Sequence, residues 1–207
     1  MLLIFTIALW GMIHSWLASV SFKNFLRRTF GHDFMKFYRL LYNIFAVISI
    51  APVLYLMISL PDKTLYQILS PWNYLMRAGQ VISALFLFAA VMQTDILSFA
   101  GLRQLFEEER KGDLVTSGLY RFIRHPLYTF SLLILWLSPS VTINSFIVYV
   151  ALTLYVLIGI VFEERKLLRE FGKEYTTYKS VTPMLIPGIS KTVVKRRAPA
   201  GKFGGNK

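Results

Sequence analysis

The sequence predicts an all-α integral membrane protein with about five transmembrane helices. Of the 207 residues, 55% are hydrophobic, and the mean hydropathy is +0.52. Soluble domains have a lower apolar content than this. Several apolar stretches approach or exceed the roughly 20 residues that a helix needs to cross a bilayer. The length favours a single membrane-embedded domain over residues 1–190.

Five apolar stretches define the predicted helices. They cover residues 2–20, 40–60, 78–100, 127–138 and 141–162. Pro52 predicts a kink in the second stretch. The fourth stretch is short for a full span and is separated from the fifth by Ser138-Pro139-Ser140, so the two are expected to form a tight helical hairpin. No basic residue precedes the first apolar core, which argues against a cleaved signal peptide.

Positive charge alternates between these stretches and predicts their orientation. The four connecting segments hold five, two, five and no Lys or Arg residues in chain order, and the segment from residue 163 onward holds eleven. By the positive-inside rule, this places the N-terminus outside and the C-terminus in the cytoplasm. The formal net charge of +12 is therefore attributed to membrane topology and not to nucleic-acid binding.

The absence of cysteine and the C-terminal composition each limit the possible functions. A chain without cysteine has no disulfides, no thiolate nucleophile and no cysteine metal ligands, and no metal site is predicted. Residues 191–207 are basic, rich in Gly and nearly free of large apolar groups, so they are expected to form a disordered tail. Such a tail could contact anionic lipid headgroups.

The densest polar cluster is GLYRFIRHPLY, residues 118–128. His125 precedes a proline and is therefore expected to leave the helical conformation, whereas Pro126 suits the first turn of the next helix. A helix N-terminus at this position would present free N–H groups to a carboxylate. The alternative is an anchoring belt in which Arg121 and the tyrosines contact lipid headgroups.

A second cluster, Glu163-Glu164, lies near the end of the last helix. Glutamates there oppose the helix dipole and need a cationic partner. That partner could be Lys166, at helical spacing from Glu163, or the ammonium group of a ligand, and the sequence leaves both open. Because the hairpin returns Glu163 to the side of the membrane that holds His125, the two clusters together would suit a zwitterionic, nucleotide-like ligand.

The remaining polar residues have weaker interpretations. Asp95 follows Gln93 and Thr94 near the end of the third stretch, where an ionisable residue is either functional or a paired structural group. His14 is interpreted as a packing histidine. The residues at the entry to the second stretch are either belt residues or part of a substrate entrance; they are Tyr38, Arg39, Tyr42 and Asn43.

The segment GLYRFIRHPLY, followed after the hairpin by FEERKLLREFGKEYTTYKSVTPMLIP, resembles the membrane-embedded methyltransferases. This superfamily includes the isoprenylcysteine carboxyl methyltransferases, the phospholipid N-methyltransferases and the bacterial NnrU-like proteins. The resemblance is strong over residues 112–187 and weaker upstream, where HSWLAS and YRLLYN resemble the NnrU-like branch. It implies S-adenosylmethionine as cofactor, a cofactor-binding part at about 101–187, and the inner membrane of a bacterium or archaeon.

The resemblance also implies site residues. Glu163 matches the family glutamate expected at the amino-acid end of the cofactor. The other residues implied or expected around the cofactor are Gly112, Leu114, Val115, Tyr120, Arg124, His125, Pro126, Leu127, Tyr128 and Glu164. Gly112 stands where the isoprenylcysteine enzymes have histidine, and Gly159 where they have a substrate-side arginine. These departures argue against prenylcysteine as the acceptor and leave the catalytic residues unassigned.

The function expected from this resemblance is methyl transfer to a small or lipophilic acceptor at the cytoplasmic membrane face. One alternative is an NADPH-dependent, sterol-reductase-like oxidoreductase, because some of those enzymes carry a stretch similar to RHPLY. A non-enzymatic membrane protein is the other alternative. A transporter is disfavoured, since the predicted helices are largely apolar at mid-depth.

Overall fold

The computed structural model describes residues 1–106 and 113–188. The predicted tail at 191–207 lies outside these ranges. In chain order, the helices and strands are α1 Leu2–Ala18, α2 Val20–Ser49, α3 Ala51–Ser59, β1 Thr64–Gln67, α4 Trp72–Met92, α5 Ile96–Ala100, two 3₁₀ turns Arg103–Leu105 and Gly118–Arg121, α6 Pro126–Trp136, β2 Ser140–Thr142, α7 Ile143–Phe171 and α8 Lys173–Val181.

Each predicted apolar stretch forms a helix, with several bounds that differ from the prediction. Helix α2 begins at Val20 and not near residue 40, because the Ser19 side chain caps it by accepting a 3.2 Å hydrogen bond from the Phe22 N–H. At the predicted kink, the helix breaks at Ile50, two residues before Pro52, to separate α2 from α3. The predicted end of the third stretch at residue 100 is wrong, since α4 ends at Met92.

The exterior of the helices is that of an integral membrane protein. Within the described ranges, three helical stretches are long and apolar enough to cross a membrane, namely Val20–Ser59, Trp72–Met92 and Ile143–Phe171. Helices α1 and α6 are apolar but shorter. Large apolar side chains point outward, including Val47 and Ile58, which are 74% and 76% exposed. A continuous apolar surface of this kind is favourable in contact with lipid and unfavourable in contact with water. The number of spans and their orientation stay predictions.

A short β ribbon, which the sequence did not predict, closes the far end of the hairpin. Strands β1 and β2 pair antiparallel, with Tyr66 opposite Val141 and Gln67 opposite Ser140. Val141 is fully buried. The ribbon ties the α6–α7 turn to the α3–α4 connection, so the predicted tight hairpin is present and is anchored at its turn.

The packing of α1 and α6 against α7, and of α4 against α6, positions the candidate site. Helix α6 packs along α4, where the Phe86 and Phe130 rings stack with centroids 5.1 Å apart. Helix α1 runs in the same direction as α7, because Leu3 packs against the cluster that holds Val148 and His14 contacts Tyr155. The C-terminal end of α1 therefore lies beside the second half of α7.

Candidate functional site

The site is built around the corner at His125 and Pro126. His125 has a non-helical backbone (φ −125°, ψ 63°) and precedes α6, of which Pro126 is the first residue. The backbone N–H groups of Arg124 and His125 donate to the carbonyls of Pro183 and Met184, at 2.9 and 3.2 Å. The segment after α8 therefore holds the corner in place, and the His125 side chain is only 4% exposed.

Glu164 binds three side chains around this corner, in a group that we name the Glu164 cluster: Arg124, His125, Glu164 and Lys179. Its Oε1 accepts from Arg124 Nε at 2.8 Å and lies 3.3 Å from His125 Nε2, while its Oε2 accepts from Lys179 Nζ at 2.6 Å. The Arg124 and Glu164 side chains are each 9% exposed. Arg124 also donates to the carbonyls of Lys179 and Thr182. Both charges of this ion pair are thus satisfied within the protein.

Glu163, in contrast, retains an unpaired oxygen. Its Oε2 is buried without a hydrogen-bond partner among residues 1–106 and 113–188 and lies 3.8 Å from His125 Nδ1, although the Glu163 side chain as a whole is 42% exposed. The ion pair with Lys166 that the sequence left open does not form between these two described residues. A buried carboxylate oxygen without a donor is costly, and such exceptions need a reason. An ammonium group from a ligand would satisfy it.

Two tyrosines flank the Glu163 carboxylate. The Tyr128 ring stacks on the His125 ring with centroids 5.7 Å apart, and the Tyr128 hydroxyl makes a weak hydrogen-bonding interaction with the Glu163 carboxylate, outside normal hydrogen-bond geometry. Burial, with a smaller contribution from Glu163, raises the pKa of Tyr120 to about 12. The Tyr120 hydroxyl therefore stays protonated near neutral pH and can donate a hydrogen bond. A carboxylate, an imidazole and two aromatic rings thus meet at one place.

The other predicted site residues are distributed around this centre. Leu114 and Val115 are half-buried in the irregular segment before the 3₁₀ turn, and Leu127 lies in the first turn of α6. Gly112 lies outside the described residues. The structure brings together Tyr120, Arg124, His125, Pro126, Tyr128, Glu163 and Glu164. Their contact with a cofactor stays a prediction.

Several of the weaker polar candidates have structural partners. Asp95 caps α5 by accepting from Ser98 N at 3.1 Å and pairs with Arg103 at 3.0 Å. The other side chains bond to backbone carbonyls: Tyr38 to Leu17, Arg39 to Ser98 and Asn43 to Ala100. These contacts tie α2 to α1 and to α5, which explains the polar entry to the second helix. Asp95 has the paired role that the sequence left open.

Sequence reasoning missed the contribution of α8. Lys179 neutralises Glu164, and the Tyr178 hydroxyl donates to the Tyr120 carbonyl at 2.6 Å. The signal was present, since both residues lie within the EYTTYK part of the family-like segment, but nothing local assigned them a role. Among the described residues, no group of three or more His, Asp or Glu side chains could hold a metal ion.

A comparison with known families identifies this part of the chain. A family model described as phospholipid methyltransferase matches residues 74–174, which include the His125 corner and both glutamates. These residues are similar to the phospholipid methyltransferase family. The resemblance to the membrane-embedded methyltransferases is thereby confirmed.

Curated proteins similar to this chain carry a more specific name. Methanethiol S-methyltransferase 2 of Bradyrhizobium diazoefficiens is 36% identical over 107 residues, which are 49% of this chain and 41% of that protein. Methanethiol S-methyltransferase of Crocosphaera subtropica is 33% identical over 132 residues, 58% of this chain and 52% of that protein. The chain thus spans about half the length of these curated relatives. No solved structure matches it.

Within the family segment, Gly118 is predicted to be required for stability. Its φ is +58°, and a Cβ there would lie 2.3 Å from Gln93 Oε1, which accepts the Leu119 N–H at 2.8 Å. We expect Gly118→Ala to lower the free energy of unfolding by about 1–2 kcal/mol, through strain and loss of this hydrogen bond. Thermal unfolding in detergent measures the effect. The exposed neighbour Ser117→Ala is the control, and equal stability of the two variants would refute the prediction.

The buried imidazole of His125 predicts a pH dependence of stability. Burial lowers the pKa of His125 below its usual 6.5, although Glu163 and Glu164 partly oppose this. Below pH 6.5 the unfolded chain therefore binds a proton that the native protein does not, so stability falls as the pH decreases from there. We expect the loss of melting temperature between pH 6.5 and about pH 5 to be smaller in His125→Gln. Exposed His32→Gln should retain the wild-type profile; identical profiles for all three proteins would contradict the prediction.

Proposed function

We propose that the protein is an S-adenosylmethionine-dependent membrane methyltransferase whose acceptor is a small thiol. The observation that carries the proposal is the buried, unpaired Glu163 oxygen beside the His125 corner, in a segment of the phospholipid methyltransferase family. The thiol is supported by the names of the curated relatives, which are methanethiol S-methyltransferases. A small thiol is a more specific acceptor than the small or lipophilic molecule that the sequence predicts.

The residues of the site fit the cofactor group by group. Glu163 Oε2 would accept the ammonium group. The Leu127 and Tyr128 N–H groups lie in the first turn of α6, where helical amides lack an intrahelical acceptor, and they suit the carboxylate. The Tyr120 and Tyr128 rings offer apolar surface to the nucleoside. When bound, S-adenosylmethionine supplies an electrophilic methyl group on a sulfonium.

The protein contributes chiefly by positioning. An in-line displacement requires donor and acceptor to be aligned, and alignment alone can account for several kcal/mol of the barrier. The Glu164 cluster holds the His125 ring from the side opposite Glu163, since Glu164 contacts Nε2 and Glu163 approaches Nδ1. His125, Arg124 and Glu164 are therefore proposed to orient the site, with Glu163 and the tyrosines in contact with the cofactor.

The charge distribution supports a cytoplasmic site. The positive-inside pattern puts the C-terminal ends of α1 and α7 at the cytoplasmic face, with the N-terminus outside. We place the protein in the cytoplasmic membrane of a bacterium or archaeon because it resembles the bacterial NnrU-like branch. The cofactor would then enter from the cytoplasm, while an apolar acceptor would enter between helices.

An NADPH-dependent activity is not favoured by the site. A 2′-phosphate calls for free cationic side chains, whereas Arg124 and Lys179 are both engaged by Glu164. A thermal-shift comparison separates the two ligands. We expect S-adenosylhomocysteine, and not NADPH, to raise the melting temperature.

The experiment that tests the proposed function is methyl transfer by the purified protein. Incubation with methyl-labelled S-adenosylmethionine and ethanethiol should yield a labelled thioether. A parallel incubation with native membrane lipids, followed by identification of the labelled product, detects a different acceptor. Label on a lipid headgroup would overturn the thiol assignment. The absence of both labelled products and of S-adenosylhomocysteine binding would overturn the methyltransferase itself.

A further inference from the structure

A second group of polar side chains lies where α1, α2 and α7 meet. His14 Nδ1 is 2.7 Å from the Tyr155 hydroxyl, and the Tyr42 hydroxyl lies 2.9 Å from His14 Nε2. We name these three residues the His14 cluster. The Trp10 ring packs against both His14 and Tyr155, with centroids 5.1 and 5.5 Å away. All three members are half-buried, so they remain accessible from one side.

The His14 cluster is connected to the proposed cofactor site through Tyr155. Tyr155 and Glu163 are eight residues apart on α7, which corresponds to about 12 Å along the helix axis. Tyr155 is also close enough to Tyr128 for an electrostatic interaction, and Tyr128 in turn interacts with Glu163. The two groups therefore lie along one side of α7, about two helical turns apart.

Gly159 lies between these two groups and leaves the space beside it open. Tyr155, Gly159 and Glu163 are spaced four residues apart and form one ridge of α7. A Cβ added to Gly159 would meet no atom within 4 Å. A side chain at this position would project between the two polar groups, whereas the glycine exposes helix backbone. The ridge thus carries a polar group at each end and a gap in the middle.

We propose that the His14 cluster forms the acceptor subsite and that His14 takes the proton from the acceptor thiol; this inference rests on the proposed function. A small thiol is mostly protonated near neutral pH, since a free cysteine thiol has a pKa of about 8.5, and the thiolate is the nucleophile. A base within hydrogen-bond reach is therefore useful here. The subsite would select acceptors that are small, apolar and able to donate one proton.

The proton has a defined path. The thiol S–H donates to the Tyr155 hydroxyl oxygen, while the Tyr155 proton passes to His14 Nδ1 across the 2.7 Å contact. The sulfur keeps the electron pair and forms the new bond to the methyl carbon, as the old carbon–sulfur bond breaks with its pair on the donor. His14 afterwards releases the proton to water. The Tyr42 hydroxyl lies 2.9 Å from Nε2 and 3.1 Å from Nδ1 of the same ring and helps to hold it in place.

A binding measurement tests the subsite without turnover. Ethanethiol is added at pH 7 to purified protein saturated with S-adenosylhomocysteine, and the ultraviolet absorbance of thiolate is recorded. The wild type should produce the thiolate band, and His14→Gln and Tyr155→Phe should lose it. S-adenosylhomocysteine affinity should stay within about twofold of the wild type in both variants, because neither residue belongs to the cofactor site. Unchanged thiolate absorbance in both variants would overturn the inference.

Kinetics give a second and independent readout. At pH 7 we expect His14→Gln to reduce kcat/KM for ethanethiol by about 100-fold, within the usual range for a general base. The deficit should shrink as the pH approaches the pKa of the thiol, since solution then supplies the thiolate. A deficit that is the same at every pH would indicate a merely structural role and would refute the proton transfer.

Matched variants separate this inference from the proposed function. His32→Gln replaces an exposed histidine of α2, and Tyr149→Phe replaces a tyrosine of α7 whose ring packs on Trp136 at 5.9 Å. Both should behave as the wild type. A wild type that neither binds S-adenosylhomocysteine nor transfers methyl refutes the proposed function. A wild type that does both, with fully active His14→Gln and Tyr155→Phe, refutes the acceptor subsite alone.

Discussion

Glu163→Gln is expected to weaken S-adenosylhomocysteine binding by about 10- to 100-fold. Its buried Oε2 has no protein donor among the described residues, so a ligand ammonium group would form a charge-assisted hydrogen bond there. Such bonds contribute about 1.5–3 kcal/mol. Glutamine preserves the shape of the side chain and removes the charge, so the loss reports the ion pair. Isothermal titration of the purified protein measures it.

The control for this prediction is Glu174→Gln. Glu174 is an exposed carboxylate in the first turn of α8, and its replacement removes the same charge from the chain at a solvent-exposed position. Equal affinities of wild type and Glu163→Gln would exclude Glu163 from the cofactor site. Equal losses in both variants would show that net charge, and not the unpaired oxygen, governs binding.

Glu164→Gln is expected to lower the free energy of unfolding by about 3 kcal/mol, although it removes the same charge from the adjacent position. Arg124 and Glu164 are both 9% exposed, so the glutamine would leave a buried guanidinium without a counter-charge. Lys179 is 42% exposed and can turn toward water, which limits its share of the loss. Denaturation monitored by tryptophan fluorescence in detergent measures the change.

A double-mutant cycle distinguishes this effect from a general packing defect. Arg124→Met removes the guanidinium but keeps an unbranched side chain, and the double variant leaves no unpaired buried charge in the pair. We expect the double variant to be less destabilised than the sum of the single variants, since the two groups share a contact of 2.7 Å. Additive losses would show that Arg124 and Glu164 act independently.

The helices were predictable where the apolar pattern was continuous, and not where neighbouring elements set the bounds. The apolar stretches that form α4, α6 and α7 are continuous enough for composition alone to predict a helix in each. The polar segment 21–39 is also helical on both sides of Gly31, whose φ of 80° interrupts the helix, and Ser19 caps its start. The β ribbon depends on Thr64–Gln67 meeting Ser140–Thr142 across the fold, and no local pattern encodes that pairing.

The candidate site was also predictable from local sequence features but not from contacts between distant parts of the chain. The proline after His125 indicated a break before α6, and the hairpin indicated that the glutamates return to it. The sequence could not show which of Glu163 and Glu164 is paired within the protein, because neighbouring helical residues differ only in the direction in which their side chains point. The partner that distinguishes Glu164 is Lys179, which lies on another helix, α8. His14 was interpreted as a packing residue, since its neighbours Tyr42 and Tyr155 are distant in sequence.

An experimental structure of the protein bound to S-adenosylhomocysteine tests the central claim most directly. The account predicts the ligand between Glu163 and the His125–Tyr128 corner, with its amino nitrogen about 3 Å from Glu163 Oε2 and with the Glu164 cluster unchanged. A ligand bound elsewhere, or a protein cation occupying Glu163 Oε2 in the complex, would contradict it.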